Sequence, residues 1–171
     1  MNPSQLYISD LEADADTDPA AIAAAEVRRW LDMADNTTDK RRISMIVVHC
    51  SATPNERKVT AEDIRRWHVK DNGWADIGYH YVIRRDGMIE KGRKDEVAGA
   101  HVKGYNSRSV GICLIGNDVF LQEQIRSLKF LVQALKKQYK VADKDVLGHY
   151  ELDDHKTCPN LTGEGIRELI K

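Results

Sequence analysis

The chain has 171 residues, with 26 Lys and Arg against 27 Asp and Glu, so its formal net charge is −1 and gives no bulk electrostatic basis for binding nucleic acid or an anionic membrane. The length suits one domain with an appendage, able to bury roughly 70% of its unfolded surface without covalent staples. Three cysteines are too few for a disulfide framework; with no leader-like N-terminus and no run near the roughly 20 apolar residues of a membrane span, synthesis in a reducing cytoplasm is expected.

Residues 1–40 differ in character from the remainder. Asp10, Glu12, Asp14, Asp16 and Asp18 make the beginning acidic, and Asp18-Pro19 supplies an N-cap followed by Pro at the first helical position. Ala23, Val27, Trp30, Leu31 and Ala34 then fall on one stripe, which predicts a helix over 19–34. This helix could pack on the rest of the chain, cover a groove or bind another protein; docking is the expectation, because an apolar stripe is usually buried. Residues 35–39, Asp-Asn-Thr-Thr-Asp, have linker composition. The division expected is therefore an extension over 1–40 and a main domain over 41–171.

The apolar run Met45 to Val48 ends at His49 and predicts a buried strand over 43–49. Thr60 with Asp63 three residues on approximates a capping box, and Val59 with Ile64 is placed as a hydrophobic staple. The helix they open should run through Trp67 to Asn72-Gly73. Segments 79–85 and 88–91 flank Asp86-Gly87 and predict a hairpin with a two-residue turn. Another apolar strand is expected over 109–115, stopped by Gly116-Asn117. Ile125, Leu128, Val132, Leu135 and Tyr139 share one face of a helix over 121–139. A short strand over 145–148 delivers His149, and a last helix spans 162–170. Strands alternating with helices predict an α/β domain with a central mixed β-sheet flanked by helices, plus the N-terminal helical extension.

His49 and His149 each stand where a predicted strand gives way to a polar loop, and Cys158-Pro159 follows nine residues after His149. Two imidazoles and one thiolate can hold Zn²⁺ and leave a fourth position open, the pattern of catalytic rather than structural zinc. The spacing from His149 to Cys158 is longer than that of a zinc finger. His155 is the rival ligand within the same loop. Cys50 and Cys113, at or in apolar strands, read as small buried hydrophobes. Glu151 could accept from an imidazole N–H or simply face solvent.

A longer set of motifs follows in order: His49-Cys50-Ser51-Ala52-Thr53; Ile64-Arg65-Arg66-Trp67-His68; Gly73-Trp74-Ala75-Asp76-Ile77-Gly78-Tyr79-His80-Tyr81; Ile83-Arg84-Arg85-Asp86-Gly87. Ala100-His101-Val102-Lys103-Gly104-Tyr105-Asn106, Ser109 to Gly116, Gly148-His149-Tyr150-Glu151 and Lys156-Thr157-Cys158-Pro159 complete it. From about Ile43 onward the chain resembles the zinc-dependent N-acetylmuramoyl-L-alanine amidases of the bacteriophage lysozyme (endolysin) type, which are related to peptidoglycan recognition proteins. The resemblance implies His49, His149 and Cys158 as ligands of one Zn²⁺, with Tyr79 and Lys156 as active-site residues. It places Trp74, His101 and Asn106 at the substrate groove. It implies hydrolysis of the amide between N-acetylmuramic acid and L-alanine in peptidoglycan, with a peptidoglycan-binding receptor lacking hydrolytic activity as the alternative. A phage or prophage endolysin of this kind would be made in the cytoplasm and reach the wall after a holin-type helper opens the membrane. The resemblance has no counterpart for residues 1–42.

Overall fold

A computed structural model describes residues 18–34 and 41–171; the acidic positions before Asp18 and the linker 35–40 lie outside them. Among the described residues, five strands form one mixed sheet in the order β3-β2-β4-β1-β5. They are β1 (Met45–Cys50), β2 (Tyr81–Ile83), β3 (Ile89–Lys91), β4 (Ser109–Leu114) and β5 (Val146–Gly148). β1 pairs in parallel with both β4 and β5, β2 is parallel to β4, and β3 alone runs antiparallel, against β2. β1 and β4 are buried along their whole length, which explains their continuous apolar sequence where a half-exposed strand would alternate.

The period of two still decides which way each side chain points. Ile46, Val48 and Cys50 join Val110, Ile112 and Leu114 on one face, under α1 (Pro19–Ala34), α3 (Gln122–Tyr139) and α4 (Gly163–Leu169). Met45 and Val47 face the other side, where Val102 packs, and His49 continues that row. Beyond them Val59, Ala61 and Ile64 bring α2 (Ala61–Arg66) against Val82, Cys113 and Ile115. From β1 the chain crosses by way of α2 to β2; from β4 it crosses by α3 to β5, in the opposite direction. β1 and β4 therefore flank a topological switch point, and in open α/β sheets ligands bind at the carboxyl ends of strands there. His49 lies at that end of β1.

Local signals account for most element boundaries. Asp18 Oδ1 accepts from the Ala20 amide at 3.0 Å and starts α1, whose Ala23 and Val27 are fully buried, with Trp30 and Leu31 packed on the same core. Thr60 and Asp63 form the reciprocal capping box at α2. Thr162 Oγ1 accepts from the Gly165 amide to open α4.

Two elements depart from expectation. α2 leaves α-helical geometry at Trp67 and continues as a π turn over Trp67–Asp71, with the Asn72 amide donating to the Trp67 carbonyl at 3.3 Å. The Asp86-Gly87 hairpin has a three-residue loop: the Arg84 amide donates to Met88 O and the Gly87 amide to Arg84 O. Only Gly87, at φ 83°, takes a positive φ there, whereas a two-residue type I′ turn needs two such residues.

Two polar clusters tie the layers together. Asp95, 5% exposed, accepts from Tyr81 Oη at 2.7 Å, Tyr139 Oη at 2.8 Å and Lys91 Nζ at 2.9 Å. Burial opposes its ionisation, but Lys91 and the two hydroxyls outweigh that and hold it below the usual carboxylate range. Arg41 donates to the carbonyls of Asp95, Asn106 and Ser109 and so fastens the 95–109 segment to the start of the domain. Among the described residues no helix is long and apolar enough to cross a membrane.

Candidate active site

At the carboxyl ends of β1 and β5 a cleft of about 810 Å³ is lined by His49, Tyr79, Trp74, His149, Lys156 and Cys158, among others. That volume is within the range of small-ligand sites. β1 delivers His49, which is 1% exposed. β5 ends at Gly148 and the chain turns at once into a 3₁₀ turn, His149–Glu151. Glu151 Oε2 accepts from the Gly148 amide at 2.8 Å and its carboxylate pairs with Arg167 at 3.1 Å. Glu151 thus shapes the turn that presents His149, and its oxygens are spent on the backbone and Arg167. Cys158 returns on the following loop.

The ligating atoms of His49, His149 and Cys158 lie within 4.8 Å of one another, and the rings of His49 and His149 have centroids 4.6 Å apart. A tetrahedral ion with bonds of about 2.0–2.3 Å sets its donors about 3.3–3.8 Å apart, so side-chain adjustments of about 1 Å would close this group around one. The electrostatics suit a cation. Burial first, then the neighbouring His101 and His149 rings, holds His49 well below the ordinary histidine pKa. Burial and then Lys156 lower His149. Both imidazoles are therefore neutral at pH 7, the form that ligates. The Cys50 thiol alongside and burial push the Cys158 thiol up, while the Cys50 amide donates to Cys158 Sγ at 3.0 Å and favours the anion. A bound divalent ion would complete that balance toward thiolate. The donor set and its surroundings fit zinc.

The other expected site residues fall around this group. Tyr79 packs its ring 5.1 Å from that of His49 at a tilt of 53°, and burial pushes its phenol well above the usual value. Lys156 is exposed on the cleft rim, two residues from Cys158. Trp74, 38% exposed, forms a wall and packs its ring 4.5 Å from His68. His155 is exposed and stands outside the donor group.

His101 and Asn106 line the cleft, as expected, and each also makes contacts beneath its surface. Asn106 Oδ1 accepts from the His101 and Val102 amides at 2.9 and 3.0 Å, so it organises the loop from within. His101 is 8% exposed, with Nδ1 2.9 Å from His49 Nε2 and Nε2 3.2 Å from Ser109 Oγ. The supporting roles of Arg41, Ser109 and the Cys50 amide were not foreseen. Nothing in residue type or spacing announces them, because each acts through a main-chain group or through a partner distant in sequence.

Comparison with known proteins agrees with this geometry. Residues 39–161 match the family model described as N-acetylmuramoyl-L-alanine amidase. The endolysin of Klebsiella phage KP32 is 44% identical over 132 residues, 72% of this chain and 85% of that protein. The endolysin of Escherichia phage T7 is 41% identical over 124 residues, 68% of this chain and 80% of that protein. Among solved structures, the endolysine N-acetylmuramoyl-L-alanine amidase LysCS from Clostridium intestinale URNW superposes with a TM-score of 0.66 at 33% identity, over 74% of this chain and 82% of that one. The chain belongs to the N-acetylmuramoyl-L-alanine amidase family.

Proposed function

We propose that this amidase hydrolyses the amide between N-acetylmuramic acid and L-alanine in peptidoglycan as a zinc enzyme, with His49, His149 and Cys158 as ligands. The observation that carries the metal assignment is the convergence of those three donors, from three separate segments, on one end of the sheet. When bound, Zn²⁺ supplies Lewis acidity toward the amide carbonyl and a water activated at neutral pH.

The remaining work falls to the chain. Trp74 offers an apolar wall against which a sugar or stem peptide can lie, and the loop organised by Asn106 also lines the cleft. As the carbonyl carbon becomes tetrahedral, negative charge grows on its oxygen. The Lys156 ammonium, exposed in the cleft lining, would stabilise it, a contribution typically worth about 3 kcal/mol. Tyr79, its hydroxyl kept protonated by burial, can donate a hydrogen bond to the same oxygen or to the departing amine.

The setting we infer is that of a phage or prophage endolysin, made in the cytoplasm and reaching the wall once a holin-type protein has permeabilised the membrane. The endolysin relatives support it. The test is zinc content and release of soluble wall fragments by wild type against Cys158→Ala. The variant is expected to lose at least about 10²-fold in activity and most of its zinc while remaining folded. Mass spectrometry of the products should find a new amino terminus on L-alanine. Full activity in Cys158→Ala, or a new reducing sugar end, would refute the assignment.

A further inference from the structure

Resting on the zinc reading above, we propose that His101 is a positioning residue for His49, which it holds in the tautomer that presents Nδ1 to the ion. A neutral imidazole has one N–H and one lone pair, and a ligand must keep its lone pair for the metal. His49 Nε2 lies 2.9 Å from His101 Nδ1, so the nitrogen left for a cation is Nδ1. Its lone pair is available only if Nε2 carries the proton and donates to His101.

The rest of the chain of contacts runs in the same direction. With Nδ1 accepting, His101 carries its proton on Nε2 and donates to Ser109 Oγ at 3.2 Å. Ser109 Oγ in turn donates to the Tyr105 carbonyl at 2.9 Å. Each donor then has an acceptor, and the series ends on a backbone oxygen whose role cannot reverse. In the opposite sense His101 would donate to His49 Nε2, Ser109 would donate to His101, and the Tyr105 carbonyl would lose this donor. The proton arrangement that keeps every contact is the one that frees His49 Nδ1.

The His101 ring is built in. A Cβ at Gly111 would stand 2.6 Å from its Cγ, and one at Gly99 would stand 2.5 Å from its Cδ2. The glycine backbones therefore pass directly over the ring, in contact that any other residue would prevent. The His101 amide is fixed to Asn106 Oδ1. Partners of metal-bound histidines that are held this firmly set ring orientation, and losing one typically costs about 10–100-fold in metal affinity.

The experiment compares zinc affinity, by competition with a chromophoric chelator, for wild type, His101→Asn, His101→Leu and Cys158→Ala. Asn places an oxygen near the position of Nδ1 and can accept from His49; Leu cannot. The expectation is a loss of about 10-fold or more for Leu and less than about 3-fold for Asn. Equal losses for both variants, or none for Leu, would overturn the proposal. So would a raised KM in both with zinc affinity unchanged, which would make His101 a substrate contact. Long-range ¹H–¹⁵N correlation on zinc-loaded wild type needs no variant to fold: it should find both His49 and His101 protonated on Nε2. Zinc bound through His49 Nε2 would refute the inference even if zinc binding itself is sound. Failure of wild type to bind zinc, or undiminished binding by Cys158→Ala, would remove the underlying zinc reading as well.

Discussion

Lys156 and Tyr79 approach the donor group from different quarters, and their burial separates their effects. Lys156 is exposed, so its removal should leave the fold intact and act on the reaction alone. The Lys156→Met variant is expected to lower kcat about 10²-fold, with KM and zinc content within about twofold of wild type. Steady-state hydrolysis of a defined muramoyl-peptide checks this; an unchanged kcat would mean that Lys156 is a solvated loop residue. His49 and His149 were conspicuous in the sequence because an imidazole ends each of two apolar strands. The contact of His101 with His49 was not legible. Which neighbour a histidine nitrogen meets depends on how closely two glycine backbones pass, and that is settled only when β4 and the 95–106 segment lie side by side. Arg41 was equally silent: it meets three carbonyls more than 50 residues away and the His80 ring.

Helices and caps were readable because their causes are local. The Asp18 cap, the Thr60–Asp63 box and the apolar face of α3 each lie within a few residues of the structure they determine. Strand order and the parallel register of β1 with β4 and β5 are not local, and no motif encodes them. The π turn after Arg66 and the three-residue hairpin loop differ from expectation because one residue more or less in a turn is decided by packing around it. α1 shows how an element can matter for stability without entering the chemistry. It buries Ala23 and Val27 on the helical face of the sheet, and none of its described residues lines the cleft. Val27→Asp would strand a charge in that core, so a loss of about 3 kcal/mol is expected by urea denaturation. Hydrolysis per folded molecule at 25 °C should not change. A rise in activity would instead reveal α1 as an inhibitory cover.

Across the whole molecule the switch point between β1 and β4 has a cost as well as a use, since it places histidines deep in the sheet. His80 is fully buried next to the site. Its Nδ1 accepts from the Gly111 amide at 3.0 Å, while Nε2 lies 2.9 Å from the Val97 carbonyl and 3.0 Å from Arg41 Nη2, a donor that opposes protonation of the ring. Burial, aided by Arg41 beside it, pushes its pKa down to about 4 from 6.5. Between those two values the unfolded chain binds a proton that the folded chain refuses. Stability must therefore fall as pH drops through this window, by up to about 1.4 kcal/mol per pH unit for one such group. Asp95 acts in the same sense at lower pH: its depressed pKa stabilises the fold above the ordinary aspartate range, and that contribution is lost on further acidification. Metal release would add its own pH dependence, because the ligands must stay deprotonated. The measurement is accordingly made on chelator-treated protein, by urea denaturation at half-unit steps from pH 7.5 to 4.5. The expected curve is level above about pH 7 and declines steadily below 6.5. A level curve down to pH 5 would mean that His80 and the other buried imidazoles, His49 and His101 among them, take up protons in the folded protein as readily as in the unfolded chain.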